Sequence, residues 1–322
     1  MHRVLISLTG GAFLAIGAGA ASAGDPLPKV AIVAASTNTA DAQTNTRFTD
    51  PRDKLMATGL FSQVDIINVT GIGDGVGTPS LETLQEYVAV ITWSNVSYDN
   101  AVTMGDVLAD YVDSGGGVVV GVFANTSTNP ARYLQGRWLS DPGYIAIPQN
   151  GGFVDGTAAG LGQVFVEDHP ILEGVDSFFN NAPIGANGQP FGAWRPAELS
   201  LTPGSTLVAR WTTGETLVAI APNPRVVEIG FHPVSSAVNA GYWDETTDGG
   251  LIMANALLFA ASHTDDDCPG DVTGNGMVDL ADLNLVLANF GTKTSEGDAN
   301  GDGVVDLADL NLVLANFGII CD

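Results

Sequence analysis

Residues 271–282 read D-V-T-G-N-G-M-V-D-L-A-D, and residues 298–309 read D-A-N-G-D-G-V-V-D-L-A-D. Each stretch alternates oxygen-bearing residues along twelve positions and has glycine at the sixth, where a sharp turn is needed. Ca²⁺ takes roughly six to eight oxygen ligands, and a short loop can supply them with this spacing. The sequence therefore predicts two Ca²⁺ sites. The predicted ligands, with Met277 and Val304 acting through their backbone carbonyls, are Asp271, Thr273, Asn275, Met277, Asp279 and Asp282 in the first loop and Asp298, Asn300, Asp302, Val304, Asp306 and Asp309 in the second.

The two loops belong to an internal repeat. They begin 27 residues apart, and the segment L-A-D-L-N-L-V-L-A-N-F-G occurs in identical form at 280–291 and 307–318. The apolar spacing in this segment predicts an amphipathic helix that leaves each loop, ended by Gly291 and Gly318. The apolar face comprises Leu283, Val286, Leu287 and Phe290 in the first copy and Leu310, Val313, Leu314 and Phe317 in the second. No helix pattern leads into either loop, so each unit is a loop followed by one helix.

This loop–helix pair resembles the type I dockerin module, and the resemblance covers about residues 269–320. It implies a small all-α module, assigned here to 269–322, whose two units pack antiparallel and fold with calcium. It also implies a cohesin-like or other extracellular protein partner. By resemblance, the partner-binding residues are Leu280 and Ala281 in the first unit and Leu307 and Ala308 in the second. Because the two units are alike, either could face the partner.

Residues 1–23 have the features of a signal peptide. A short positive start precedes an apolar stretch at 4–20, and the small residues at 21–23 form a cleavage site. We expect the mature chain to begin at Gly24 and to be secreted or held at the cell surface. No later segment is long and apolar enough to span a bilayer.

Cys268 and Cys321 are the only cysteines of the chain, and they flank the repeat. We expect them to form a disulfide, because the predicted compartment is oxidising and a module of this size buries only a small core. Two free thiols are the alternative.

The charge of the chain limits its partners. The sequence has 36 acidic and 11 basic residues, a formal net charge of −25. Such a balance disfavours nucleic acid and anionic membrane surfaces as partners. The hydrophobic content of 45% is ample for a folded core.

Residues 24–262 form a larger domain, joined to the module by a linker at 263–268. Its apolar runs do not alternate and are separated by helical segments, which indicates a mostly parallel sheet covered on both faces. We predict an α/β, doubly wound, flavodoxin-like fold. The short segment Ala221-Pro-Asn-Pro224 connects the predicted strands 216–221 and 225–231, which indicates an antiparallel hairpin. The predicted strands are 29–33, 64–68, 88–93, 118–123, 205–211, 216–221 and 225–231, with short ones near 143–147 and 163–167, and the last helix is 248–261.

The order of these segments resembles the class I glutamine amidotransferase-like superfamily, in particular its ThuA-like branch. The likeness includes V-A-V-I-T-W-S-N at 88–95, H-P-I-L-E-G at 169–174 and V-V-E-I-G-F-H-P at 226–233. Family members with amidotransferase activity carry a cysteine on the turn after the fourth strand. Here that stretch is G-V-F-A-N at 121–125, so Phe123 stands where a nucleophile would be, and glutamine hydrolysis is not expected.

Two histidines are candidate catalytic residues. His169 and His232 each precede a proline, which favours extended or turning backbone and a place at the edge of the sheet. They could act as general acid or base, or as metal ligands, together with carboxylates such as Glu228. The alternative is that both rings accept hydrogen bonds from nearby backbone groups.

Aromatic residues suggest a carbohydrate ligand, because sugar rings stack on aromatic faces. Trp93 lies at the carboxyl end of a predicted strand, where open α/β sheets bind ligands. The other aromatic candidates are Trp194, Trp211, Trp243, Tyr98 and Tyr242. The alternative is that these side chains pack in the core and at its edge. Two functions remain open. One is a non-catalytic binding component that is docked by its calcium module, and the alternative is a secreted hydrolase acting on the O-glycosyl bonds of a polysaccharide.

Overall fold

The structure is a computed structural model that describes residues 26–149, 152–262, 269–273, 275, 277–294, 296–300 and 304–319. The predicted signal peptide, the linker at 263–268, both cysteines and Asp302 lie outside the described residues. Within the described ranges, no helix is long and apolar enough to cross a membrane.

The secondary structure alternates strands and helices up to β4, and strands dominate thereafter. The strands are β1 (Lys29–Ala34), β2 (Gln63–Asn68), β3 (Ala89–Thr92), β4 (Gly117–Val120), β5 (Phe153–Val154), β6 (Ala159–Val164), β7 (Phe179–Asn180), β8 (Arg195–Pro196), β9 (Thr206–Trp211), β10 (Thr216–Ile220) and β11 (Val226–Ile229). The α-helices are α1 (Thr46–Ala57), α2 (Leu81–Leu84), α3 (Ala101–Asp113), α4 (Arg137–Ser140), α5 (Gly249–Ser262), α6 (Leu280–Asn289) and α7 (Leu307–Ala315).

The central sheet has the strand order β2-β1-β3-β4-β11-β10-β9-β6-β7 in the described residues. Its first five strands are mutually parallel, which is the 2-1-3-4-5 order of flavodoxin-like folds with β11 in fifth place. Helices α1 and α5 cover one face, and α2, α3 and α4 cover the other. Both β3 and β4 are buried along their whole length, which explains their lack of polar alternation. The α/β part of the predicted fold class is confirmed at this level.

The second half of the sheet is antiparallel. The predicted hairpin is present, since β10 and β11 pair antiparallel, and β9, β6 and β7 extend the sheet beyond it. The strand predicted near 143–147 is wrong. The backbone N–H groups of Ala146 and Ile147 donate to the carboxylate of Glu228, at 2.8 and 3.3 Å, instead of to a neighbouring strand.

The C-terminal module consists of α6 and α7 with the loops before them. Val278 pairs through its backbone with Gly318 and Ile319, and Val305 pairs in the same way with Gly291 and Thr292. The start of each helix therefore lies beside the end of the other, so the helices run antiparallel. The centre of the module is small. Among the described residues of the module, the fully buried apolar side chains are Val278, Val286, Val305 and Val313.

The predicted apolar faces of α6 and α7 are only partly buried. Val286 and Val313 are enclosed, and Leu283 and Leu310 pack at the margin of the core. The remaining residues of the two faces stay about half exposed. These are Leu287, Phe290, Leu314 and Phe317.

Candidate functional site

The first predicted calcium loop brings its polar side chains together before α6. Thr273 Oγ1 lies 3.2 Å from Asp271 Oδ1 and 2.8 Å from Asp282 Oδ1. Asp271 Oδ1 also accepts a hydrogen bond from the N–H of Asn275 at 3.1 Å. Asn275 in turn accepts one from the N–H of Met277 at 2.9 Å. The side-chain oxygens of positions one, three and twelve therefore converge, as an oxygen-ligated cation requires.

The last residue of this loop, Asp282, is fully buried although it is acidic. Its Oδ1 accepts from the N–H of Thr273 at 2.9 Å, and its Oδ2 accepts from the N–H of Asp279 at 2.8 Å. Asp279 caps α6 by accepting from the N–H of Ala281 at 2.6 Å, so the two acids form a capping box. The carboxylate of Asp282 thus joins the beginning of the loop to the beginning of the helix.

The second loop repeats this arrangement. Asp309 is fully buried, and its carboxylate accepts from the N–H of Asn300 at 3.1 Å and of Asp306 at 2.7 Å. Asp306 caps α7 through the N–H of Ala308 at 2.7 Å. Asp298 and Val304 stand at the first and seventh positions of this loop, and Asp302 lies outside the described residues.

The donor set of both loops suits Ca²⁺. It consists of carboxylate, amide, hydroxyl and backbone carbonyl oxygens, which are the hard ligands that Ca²⁺ prefers. Among the described residues, no group of three or more His, Cys, Asp or Glu side chains could hold a metal ion. The predicted loops draw in addition on Thr273, Asn275, Asn300 and backbone oxygens, so the two Ca²⁺ sites remain a prediction.

A second candidate site lies at the carboxyl edge of the parallel strands. We call His232, Tyr242, Trp93, Phe123 and Trp194 the carboxyl-edge cluster. The His232 ring stacks on Tyr242 with centroids 4.4 Å apart and planes 8° apart. Trp93 and Phe123 meet the same imidazole edge-on at 6.4 and 6.0 Å. Trp194 lies 6.1 Å from Phe123 and 5.5 Å from Tyr242.

Burial and charge keep His232 neutral. The ring is 1% exposed, and its Nδ1 accepts from the N–H of Val234 at 3.3 Å. Burial lowers the pKa of His232 well below its usual value, and the positive charges of Arg47 and Arg132 lower it further. A neutral ring that accepts at Nδ1 carries its proton on Nε2. That Nε2 is buried and has no hydrogen-bond partner among the described residues.

Two arginines border the carboxyl-edge cluster. Arg47, in the first turn of α1, donates to the hydroxyl of Tyr242 at 2.7 Å. Arg132 follows β4 and lies over the ring of Phe123, with its guanidinium carbon 4.3 Å from the ring centroid. The Nε and Nη2 atoms of Arg132 are buried, and no hydrogen-bond partner reaches them from the part of the chain that the structure describes. Burial lowers the pKa of Arg132.

The structure does not bring the two candidate histidines together. His169 caps a short 3₁₀ turn by accepting from the N–H of Ile171 at 3.2 Å, and its ring lies 4.9 Å from that of Phe259. Phe259 is near the end of α5, where Ala260 packs against Gly117 at the beginning of β4. His169 is therefore at the amino edge of the sheet, whereas His232 is at the carboxyl edge. Both rings accept a backbone hydrogen bond, as the alternative interpretation expects.

Most of the aromatic candidates are core residues. Their side chains are at most 3% exposed, and the indole N–H groups of the three tryptophans among them donate within the protein. Trp194 is the tryptophan of this set that reaches the surface, and Tyr242 lies beneath it. The buried ones are Trp93, Trp211, Trp243, Tyr98 and Tyr242.

Two carboxylates close to the carboxyl edge are tied to the backbone. Asp50 accepts from the N–H and the hydroxyl of Ser235 at 2.7 and 2.8 Å. Glu228, on β11, is fully enclosed, and burial raises its pKa to about 8 although Ala146 and Ile147 donate to it. Within the described residues, its second oxygen, Oε2, has no hydrogen-bond partner, and neither has Oδ1 of Asn125. At neutral pH Glu228 is therefore mainly protonated.

A cavity of about 500 Å³ lies beside the edge strand β2. Its polar lining groups mostly bond to one another. Asp74 accepts from the side chain of Asn68 at 2.8 Å and from the N–H of Ala42 at 2.6 Å. This cavity therefore offers fewer free polar groups than the carboxyl-edge cluster.

Arg47, Arg132 and Asp50 are site residues that the sequence did not single out. The two arginines could have been suspected from the sequence, because basic residues are scarce in this acidic chain and each one is therefore a candidate for a specific role.

No family model and no curated protein matches this sequence. Solved structures similar to the chain include a ThuA-like protein from Bacteroides uniformis, with 16% identity, 76% of this chain and 95% of that chain covered, and a TM-score of 0.45. A cytoplasmic protein from Salmonella typhimurium has 11% identity, coverage of 72% and 98%, and a TM-score of 0.44. A GMP synthase protein from Thermoplasma acidophilum has 13% identity, coverage of 74% and 96%, and a TM-score of 0.42. The TM-scores are below 0.5, so the fold assignment rests on the strand order described above.

Proposed function

We propose that this chain is an exported calcium-binding protein whose C-terminal module docks it to an extracellular protein in polysaccharide-related assemblies. Its α/β domain then binds a carbohydrate ligand without catalysis. The observation that carries the docking role is the duplicated loop–helix unit. Each copy combines a buried acid at the twelfth loop position, a capping box and an exposed leucine at the first turn of its helix.

The docking surface would be built around those leucines. Leu280 is 61% exposed and Leu307 is 60% exposed, although an apolar side chain of this size gains from burial. Leu287 and Leu314 continue the same surface about two turns further along each helix. An exposed apolar patch with polar surroundings is typical of a protein-interaction site.

Substituting both leucines tests the docking role. We expect Leu280→Asp with Leu307→Asp to weaken binding to a cohesin domain by about 100-fold or more, because a charge would enter the apolar centre of the interface. Each single substitution should lower the affinity only about twofold, since the unchanged unit can still bind the partner. Biolayer interferometry against a panel of purified cohesin domains, with calcium and then with a chelator, measures both effects.

Leu199→Asp is the matched control, because Leu199 is 53% exposed and lies in the α/β domain. Docking through the module predicts no change for this variant. Equal affinity of the double variant and the unmodified chain, or calcium-independent binding, would reject the proposed docking surface.

A binding role for the α/β domain is supported by its carboxyl edge. Phe123 occupies the turn where related amidotransferases carry their nucleophile. Glu228 is only 2% exposed, and both oxygens of Asp50 accept from Ser235, so neither acid is free to exchange a proton with a ligand. Trp194 is only partly buried, and its accessible part can contact a sugar ring. These features favour binding over the alternative of glycosidic hydrolysis.

The test is to incubate the full chain with a panel of polysaccharides and to record both retention and new reducing ends. Retention without release is the expected result. Release of reducing ends that disappears in His232→Gln would instead support the hydrolase alternative.

A further inference from the structure

Two arginines at the carboxyl edge stand out in a chain that has 36 acidic and 11 basic residues. Lys29, Arg52, Lys54, Arg137 and Arg195 each lie within 4.0 Å of a carboxylate. Within the part of the chain that the structure describes, no such ion pair involves Arg47, Arg132 or Arg210, but Arg210 donates to the carbonyls of Gly214 and Leu199. The guanidinium groups of Arg47 and Arg132 nevertheless approach the same ring, His232, closely enough to lower its pKa.

The unsatisfied buried polar atoms of His232 and Arg132 are all donors. They are Nε and Nη2 of Arg132 and Nε2 of His232, each buried without a partner among the described residues. A buried donor without an acceptor destabilises the folded state. The matching ligand group must therefore accept hydrogen bonds and carry negative charge.

The geometry of Arg132 suits an anion with two oxygens side by side. Nε and Nη2 form the side-on pair of the guanidinium, whose two parallel N–H bonds match two oxygens of a carboxylate or of a phosphate. Phe123 packs against this guanidinium, and the partly exposed Trp194 lies 6.1 Å from Phe123, so Trp194 can contact a ligand ring beside the anion. A planar carboxylate attached to a sugar ring satisfies both features.

We propose that the carboxyl-edge cluster binds the carboxylate of an acidic sugar, a uronic acid or its polymer, through Arg132, His232 and Arg47. This inference rests on the proposed ligand-binding role of the α/β domain and names its ligand class. Arg132 forms the bidentate pair, His232 donates from Nε2, and Arg47 adds positive charge beside Tyr242. Trp194 packs against the face of the sugar ring.

Calorimetric titration of the full chain, with calcium present, tests the proposal. The probes are galacturonate and glucuronate, with galactose, glucose and inorganic phosphate for comparison. We expect one-to-one binding of at least one uronate, about tenfold or more tighter than the matching neutral sugar. Arg132→Leu and Arg132→Lys should each weaken uronate binding about tenfold or more, because lysine keeps the charge and loses the side-on pair.

Arg210→Leu is the matched control. Arg210 also lies over a phenylalanine ring, with its guanidinium carbon 5.9 Å from the centroid of Phe165, but it donates to the carbonyls of Gly214 and Leu199. Uronate affinity should be unchanged in this variant. Thermal unfolding gives a second readout: Arg132→Leu removes unpaired buried donors, so its melting temperature should equal or exceed that of the unmodified chain.

The other outcomes overturn the inference in different ways. Neutral sugars that bind as tightly as uronates, with no effect of Arg132→Leu, would refute the acidic ligand and leave the proposed carbohydrate-binding role intact. Phosphate that binds more tightly than uronate would assign the site to another class of anion. Absence of binding by every sugar tested, neutral or acidic, would refute both the inference and the ligand-binding part of the proposed function.

Discussion

Asp282→Ala is expected to unfold the C-terminal module and to abolish calcium binding by its first loop. The carboxylate of Asp282 accepts from Thr273 and Asp279, and it is the predicted ligand at the twelfth position. Hydrogen bonds to a charged group contribute about 1.5–3 kcal/mol each. Among the described residues, the buried centre of the module consists of four valines, and burial of each contributes roughly 1.5–3 kcal/mol before the entropy of ordering is subtracted. The loss is therefore of the same order as the whole contribution of this core, and the cost of ordering the module is then no longer offset.

Hydrogen exchange and calcium titration measure this effect on the full chain. We expect the amides of Val278, Gly291, Val305 and Gly318 to lose protection in Asp282→Ala, and to lose it in the unmodified chain when calcium is chelated. The five tryptophans all lie at residues 93–243, so their fluorescence should stay unchanged and show that the α/β domain remains folded.

Glu296→Gln is the control for Asp282→Ala, because it removes one exposed acid from the same module outside both loops. It should retain two bound Ca²⁺ and full protection. If Asp282→Ala also binds two Ca²⁺ with unchanged affinity, the assignment of the twelfth position as a ligand is wrong.

Glu228→Gln is expected to stabilise the α/β domain above neutral pH and to flatten its stability profile. Burial raises the pKa of Glu228 to about 8, from 4.5 in an exposed site. The folded state therefore holds a proton that the unfolded state releases, and the stability of the native chain falls as the pH rises between these two values. Each unit of pKa difference corresponds to about 1.4 kcal/mol, so the cost above the folded pKa is on the order of 5 kcal/mol. Glutamine is uncharged, and its NH₂ group can donate to the unpaired Oδ1 of Asn125.

Urea unfolding followed by tryptophan fluorescence at about pH 5, 7 and 9 gives the difference between the two proteins. The advantage of Glu228→Gln should be small at the lowest pH and should grow at each step. Glu82→Gln removes an exposed carboxylate from α2, and its stability should follow the unmodified chain within about 0.5 kcal/mol. If the free energy of unfolding changes with pH in the same way for Glu228→Gln and the unmodified chain, Glu228 is charged in the folded protein.

The parallel half of the sheet could be predicted because its signals are local. β1, β3 and β4 are continuous apolar runs, and such runs arise when a strand is covered on both faces. The strand expected near 143–147 has a similar apolar run. Its N–H groups are taken by Glu228, a side chain more than 80 residues away, and no local pattern reveals that.

The carboxyl-edge cluster could not be predicted from the sequence either, because its residues come from distant segments and no local pattern connects them. His169 and His232 look alike in the sequence, since both precede proline and both accept a backbone hydrogen bond two residues further on. His232 follows the carboxyl end of β11, whereas His169 lies beside the end of α5, which returns to the amino edge of the sheet. The two histidines are therefore at opposite edges. Arg47, Arg132 and Tyr242 come from three distant segments, and their meeting depends on the whole topology.

The backbone pairing of the C-terminal module is reciprocal. Val278 forms two backbone hydrogen bonds with the end of the second repeat, and Val305 forms two with the end of the first. The backbone groups of Val278 and Val305 therefore find their partners in the other repeat. Because each repeat completes these bonds of the other, we expect that the first repeat of one molecule can pair with the second repeat of another through the same four bonds. Concentrated protein can therefore exchange halves between molecules, and the resulting entwined dimer would bury the same valine core as the monomer.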